Sequence, residues 1–413
     1  MNCCVTDPLP LLQALIRCPS VTPEEGGALG VLEAALVPLG FTCTRLKFAE
    51  VDNLFARRGK YGPHFCYAGH TDVVPVGDRA GWTHDPFGAE IANGMIYGRG
   101  ACDMKGSIAA FIAGLTDFLK LRPDHQGSIS LLITGDEEGP SINGTAKVLE
   151  WMADNDQIPD MALVGEPTSK VTLGDTLKIG RRGSITAHIT VHGIQGHSAY
   201  PERADNPIHR LMRALNRLTA EPLDNGSDWF QPSTLQVTGF DVGNSASNVI
   251  PAAAKAFLNI RFNDLHKSSG LTARIRAVLE EEAPNHDLKV TVSGESFLTE
   301  PGPFVAGLQR AIERATGAQA KLDTGGGTSD ARFITRYCPV AELGAVGATM
   351  HKVDECAPID ELRDLATLYR MAREELVGGA THPKVAWHAR WPAPSCWRAG
   401  AWRGLQHSKI PCR

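Results

Sequence analysis

The sequence predicts an α/β protein, a sheet with helices on both faces, interrupted by an inserted unit of ferredoxin-like βαββαβ order. Two observations carry this. Helical and strand-like segments alternate through roughly the first 175 residues, and the strand-like ones are short apolar runs of the kind found in sheets buried on both faces. Residues 182–294 then follow a different rhythm, strand, helix, two strands, helix, strand, before the first pattern resumes.

Taken in order, 9–18 (LPLLQALIRC) and 27–40 (GALGVLEAALVPLG) have apolar residues at helical spacing. FTCTRLKF, NLFARRG and HFCYAG follow as strands, and 107–121 (SIAAFIAGLTDFLKL) is a helix of buried type. SISLLIT (128–134) and MALVG (161–165) are strands. In the inserted unit, SITAHITVHG, STLQVTGFDVG, AAAKAFLNIRFN and LKVTVSG are strands, and NPIHRLMRALNRLTA and LTARIRAVLEEEA are helices. Beyond it come a helix at 304–317, a strand around 339–346 and a helix at 359–376.

At 413 residues the chain exceeds what one hydrophobic core usually supports. The boundaries expected are 1–181 with 295–380 for the larger domain, 182–294 for the insertion and 381–413 for an atypical, disordered tail. That tail carries six Lys or Arg, no acidic residue and four of the seven Trp, features that would suit a membrane surface or nucleic acid, but the favoured reading is a plain unstructured extension. A formal charge of −5 gives no reason to expect nucleic acid. No apolar run is long enough for a membrane span, and MNCCVTDPLP lacks the pattern of a signal peptide. Ten cysteines without a CxxC pair predict reduced thiols and a cytoplasmic setting.

The chemistry lies at the ends of the apolar strands. YAGHTDVVP supplies His70 and Asp72, GRGACDMKG Asp103, TGDEEG Glu137 and Glu138, LVGEPT Glu166, and GATMHKVDE His351. Singly, each has an ordinary reading as a turn former or solvated charge. Together, two His and three carboxylates beside Gly-rich or Pro-containing turns form a donor set suited to a pair of Zn²⁺ ions, with one Asp bridging them. Ligand sites of open α/β sheets lie beyond the carboxyl ends of strands, so such distant positions can converge. The adjacent Glu137 and Glu138 then divide the work, one ligating and one free to move a proton. Asp72 is placed to hold the other ring nitrogen of His70.

These motifs resemble those of the dinuclear zinc peptidase and deacylase family, in order and spacing, over about residues 7–378. The resemblance implies a mixed-sheet zinc-peptidase catalytic domain whose inserted βαββαβ unit is a lid and dimerisation domain. It implies a first ion held by His70, Asp103 and Glu166 and a second by Asp103, Glu138 and His351, two Zn²⁺ per subunit that Co²⁺ can replace. Glu137 would be the general base, Asp72 the residue orienting His70, and His197 an oxyanion donor to the partner subunit of a homodimer. KIGRRGS, GIQGHSAYPERADNPIH, SNVIP and GGGTSDARF are most similar to members that hydrolyse N-succinyl-LL-2,6-diaminopimelate, a step in bacterial lysine and diaminopimelate synthesis. On that likeness Arg181, Tyr200, Arg261, Gly327 and Thr328, with Asn248 from the partner, would bind the substrate's carboxylates. Gly347 and Ser247 stand where better-known relatives carry Asn, changes that bear on substrate contacts and not on the metal ligands.

The alternatives are another acylamino-acid hydrolase of the same family, acting for example on N-acetylornithine, and a non-catalytic dimeric binding module. Retention of every ligand and of Glu137 argues against the latter.

Overall fold

The computed structural model describes residues 6–377. The tail at 381–413 lies outside them.

Eight strands form a mixed sheet in the order Thr42–Phe48, Val51–Arg58, Ser128–Thr134, His64–His70, Met161–Val164, Val340–Glu342, Thr176–Lys178, Lys321–Asp323. Its centre is parallel: His64–His70 pairs with Ser128–Thr134 on one side and with Met161–Val164 on the other. The outer strands Thr42–Phe48 and Val51–Arg58 run antiparallel. Every residue of the three central strands is buried, in keeping with their predominantly apolar composition. Helices Leu9–Ile16, Lys105–Leu121, Pro303–Thr316 and Ile359–Val377 supply the main apolar cluster, with Phe111 stacked on Tyr67 at 3.9 Å between centroids. A second cluster between sheet and helix includes Val148, Leu149 and Met152 of helix Thr145–Asp154.

The insertion is built as its sequence order demands. Strands Gly183–His192, Thr234–Asp241, Ala253–Phe262 and His286–Gly294 make a four-stranded antiparallel sheet. Helices Pro207–Thr219 and Ser268–Glu282 bury Leu211, Leu215, Leu271 and Ile275 in one apolar cluster with that sheet. The Asn206 side chain accepts the Ile208 N–H at 3.0 Å ahead of Pro207, a start signal worth about 1 kcal/mol. Chain entry and exit are paired: Arg181 lies opposite Phe297 and Gly180 opposite Leu298 in an antiparallel ribbon.

Candidate metal centre

Parallel register sets the centre. His70 is paired with Thr134, and Ala68 with Val164, so the segments after all three strands emerge on one edge of the sheet. The Thr71 N–H reaches the Thr134 carbonyl at 3.0 Å, and the Gly165 N–H reaches that of Ala68 at 3.0 Å. Gly165 is required here, because a Cβ would fall 1.9 Å from the Tyr67 hydroxyl. Asp103 precedes the buried helix Lys105–Leu121, whose N-terminal dipole favours a carboxylate. His351 arrives from the segment after Val340–Glu342, with φ at +61°.

These segments bring the five candidate ligands together. His70 Nε2 lies 3.3 Å from Asp103 Oδ1 and 3.9 Å from Glu166 Oε1. His351 Nε2 lies 3.3 Å from Asp103 Oδ2 and 2.8 Å from Glu138 Oε1. Each Asp103 oxygen therefore faces a different imidazole. His70, Glu137 and Glu166 offer donor atoms within 4.8 Å of one another, as do His70, Asp103 and Glu138.

The residues fit a pair of cations. His70 Nε2, Asp103 Oδ1 and Glu166 Oε1 are buried with no hydrogen-bond partner among the described residues, an arrangement costly for three polar atoms unless something binds them. Carboxylates also outnumber imidazoles. Burial, then the Asp103 charge, pushes the Glu166 carboxyl up to about 8. Burial and the charge of Glu166 push Glu137 well above the usual carboxylate range. Burial opposes ionisation of Asp103, but the His351 and His70 imidazoles outweigh it and hold that carboxyl below its ordinary value. Asp103 and Glu138 raise His351 to about 10.

The contact expected between the Asp72 carboxylate and His70 is made differently. His70 Nδ1 is 2.9 Å from the Asp72 main-chain carbonyl, whereas the nearest carboxylate oxygen is 3.7 Å away. That carboxylate instead accepts the backbone N–H groups of Glu137 (3.3 Å) and Glu138 (3.0 Å). The tight turn after His70 aims the carbonyl at the ring and frees the side chain to hold the Glu-Glu segment.

The anion-binding candidates fall into two places. Arg181 is buried beside the centre with its guanidinium committed: Nε contacts Glu342 at 2.9 and 3.0 Å, Nη2 also bonds Glu342, and Nη1 donates to the Gly327 carbonyl at 2.9 Å. About two of its five N–H bonds are left for a ligand. Thr328 Oγ1 accepts from Arg332 at 3.2 Å. His197, Tyr200 and Asn248 form a separate exposed group on the insertion. His197 is paired with Val249, its ring lies 5.6 Å from that of Tyr200, and the Ser198 N–H donates to the Asn248 carbonyl at 2.9 Å. Among the described residues no hydrogen bond or ion pair joins this group, or Arg261, to the ligand cluster. At Gly347 a Cβ would lie 2.9 Å from Met350 Cε and 3.1 Å from the Pro167 carbonyl, so a side chain here requires the Met350 tip to move and the turn to give by a few tenths of an ångström.

Two buried glutamates escaped the sequence reading. Glu342 (1% exposed) gathers Arg181 and the Ser329 hydroxyl, at 2.5 Å. Glu355 (0% exposed) accepts the N–H groups of Gly100 (3.1 Å), Cys102 (3.0 Å) and Asp103 (3.0 Å) and pairs with Arg99 at 2.7 Å. The small sheet of Cys356–Pro358, Met95–Tyr97 and Glu90–Ala92 that carries Glu355 to this position was also missed.

The chain is similar to known proteins in sequence and in fold. The succinyl-diaminopimelate desuccinylase of Gluconacetobacter diazotrophicus is 59% identical over 377 residues, covering 90% of this chain and 98% of that protein. The protein of that name from Rhodospirillum centenum is 56% identical over 379 residues, covering 91% and 98%. In fold the chain is similar to aminopeptidase PepT of Bacillus cereus (TM-score 0.74, 20% identity, 89% of this chain and 98% of that one). It is also similar to the YXEP protein of Bacillus subtilis, described as a dinuclear metal-binding peptidase (TM-score 0.67, 16% identity, 89% and 97%). Residues 66–374 match the model of peptidase family M20/M25/M40, a span from just before His70 to well beyond His351, and the chain belongs to that family.

Proposed function

We propose that this chain is a dinuclear metal amide hydrolase that converts N-succinyl-LL-2,6-diaminopimelate and water to succinate and LL-2,6-diaminopimelate. One observation carries the reading: the two Asp103 oxygens each face one imidazole at 3.3 Å, with Glu166 beside the first and Glu138 beside the second. The name shared by the relatives above supports the substrate.

His70, Asp103 and Glu166 would hold one ion and Asp103, Glu138 and His351 the other. Zinc is the metal favoured by this donor set, and cobalt(II) fits it too. Such a pair supplies Lewis-acid polarisation of the scissile carbonyl and acidifies water. Glu137, not needed as a ligand, takes the proton from the water as its oxygen attacks the carbonyl carbon. As the C–N bond breaks, Glu137 returns that proton to the amine nitrogen. Asp72 holds the Glu137–Glu138 segment in place through its amides.

The domain roles follow. Residues 1–181 with 295–380 form the catalytic part, and 182–294 form a lid that also makes a homodimer. His197 and Asn248 then reach the partner's centre when the lid closes, His197 donating to the developing oxyanion. Tyr200, Arg261, Gly327, Thr328 and the remaining N–H bonds of Arg181 receive the substrate's carboxylates. The setting proposed is the cytoplasm. No helix among the described residues is long and apolar enough to cross a membrane.

The test is hydrolysis of N-succinyl-LL-diaminopimelate against N-acetylornithine by zinc-loaded protein, with Glu137→Ala alongside. Preference for the succinyl compound, lost by about a hundredfold or more in the variant at unchanged metal content, is the expected result. Activity on the acetyl compound alone would keep the mechanism and replace the substrate. Inactivity on both with two ions bound would reject the reading.

A further inference from the structure

The five candidate ligands come from segments far apart in the chain, yet Asp103 and His351 must keep a fixed separation for one ion to bind between them. The structure supplies a device that ties their two segments together. Glu355 stands four positions after His351 and has no exposed surface. Its Oε1 collects the backbone N–H groups of Gly100, Cys102 and Asp103, all within 3.1 Å. Its Oε2 pairs with Arg99 Nη1 at 2.7 Å, and the same Nη1 donates to the Lys352 carbonyl at 3.1 Å, one residue beyond His351. The main chain repeats the link, with the Gly98 N–H donating to the Glu355 carbonyl at 2.8 Å. Neighbouring Asp354 binds the N–H groups of Thr83 (2.8 Å) and His84 (3.2 Å), which fixes the other side of the same segment.

We propose that Glu355 is a positioning residue for the metal centre, setting the distance between Asp103 and His351 by gripping the amides of the turn that presents Asp103. This rests on the two-ion reading above. A carboxylate accepting three N–H groups and a guanidinium is a strong, fully satisfied buried arrangement. It touches no proposed ligand side chain, so it acts through the segments that present those ligands and through its buried charge, which Glu355→Asp retains and Glu355→Gln removes. The consequence is asymmetric. The subsite of Asp103, Glu138 and His351 has two ligands placed by Glu355, and the subsite of His70, Asp103 and Glu166 has one. Loss of the grip should weaken binding of one ion far more than the other.

The experiment is a calorimetric titration of metal-free protein with Co²⁺, followed also through the cobalt absorption spectrum, for wild type, Glu355→Gln, Glu355→Asp and Asp224→Asn. In Glu355→Gln the amide presents a donor where only acceptors are wanted. One ion should bind with near-wild-type affinity and the second about tenfold or more weakly, the scale known for groups that orient metal ligands. Glu355→Asp keeps the charge but is one methylene too short to hold Arg99 and all three amides at once, so its second step should weaken by a smaller factor. It decides the matter if the Gln variant does not fold. Asp224→Asn is the structural control. Asp224 also gathers backbone and side-chain donors, from Gly226, Ser233, Asn263 and His266, in the inserted unit. It should lower the melting temperature and leave both binding steps unchanged. Wild-type affinities for both ions in the Glu355 variants would overturn the proposal, as would equal weakening of both steps. A wild-type chain that binds fewer than two ions would overturn the two-ion reading itself and the proposal with it.

Discussion

His351 Nε2 lies 2.8 Å from Glu138 Oε1 across 213 positions of sequence. The contact joins two segments that share no strand ladder, and the histidine is held at a positive φ that non-glycine residues seldom adopt. Side-chain coordination is the natural return for that backbone cost. Replacing His351 with Ala should therefore reduce bound metal from two ions to one per chain and cut turnover by about a hundredfold or more. Metal analysis of the purified variant checks the first point independently of activity.

Asp72 offers a separable test. Its carboxylate holds the Glu137 and Glu138 amides, while its carbonyl holds His70. Asp72→Asn leaves the carbonyl in place and puts a donor against one of the two amides. The first ion, at His70, should bind with little change. The misplaced Glu-Glu segment should lower kcat by about ten- to a hundredfold. Loss of the ion at His70 in this variant would show that the carboxylate, and not the carbonyl, orients the imidazole.

A pH dependence of stability follows from His64, a buried residue whose Nε2 lies 2.8 Å from the Ser130 hydroxyl. Burial, with the charge of Arg57 adding to it, lowers this imidazole to about 3 from its ordinary 6.5. The unfolded chain then binds the proton more readily than the folded one between those values, so stability falls as pH drops below about 6.5. Between pH 7 and pH 5 the loss should be about 1–2 kcal/mol. His64→Gln, which can still bond Ser130, should remove this contribution to the slope. Urea unfolding at the two pH values measures it.

The proposed exchange of His197 across a dimer predicts complementation. His197→Ala and Glu137→Ala should each be nearly inactive. Mixed and allowed to exchange subunits, they should recover about a quarter of wild-type activity, because half the dimers are hybrids and each hybrid has one intact centre. Continued inactivity after demonstrated exchange would mean that His197 serves its own subunit or none.

Much of this was legible in the sequence because the sheet is buried on both faces. HFCYAGH and SISLLIT are predominantly apolar runs followed by Gly-rich or acidic segments, so strand ends and ligands announce themselves together. The insertion was legible for a different reason: its strands are covered on one face only, and Ala253–Phe262 shows the resulting alternation of burial. What could not be read were the groups whose meaning is tertiary. Glu342 and Glu355 look like ordinary acidic residues, and nothing local says that Arg181 or the amides of 100–103 will surround them. The three-residue strands Glu90–Ala92, Met95–Tyr97 and Cys356–Pro358 are too short for any periodicity to show. The use of Asp72 was half legible: spacing from His70 placed the residue, but not which of its oxygens would face the ring.

The ribbon that pairs Gly180–Arg181 with Phe297–Leu298 has a genealogical consequence. Paired strands lie about 4.8 Å apart, a gap that a two-residue turn can close. Everything between departs from and returns to one spot on the host, so the segment behaves as a cassette. Its acquisition, loss or replacement by a cassette of another shape requires no rerouting of the chain on either side. The ligand-bearing strands and the module presenting His197 and Asn248 can therefore be altered one without the other.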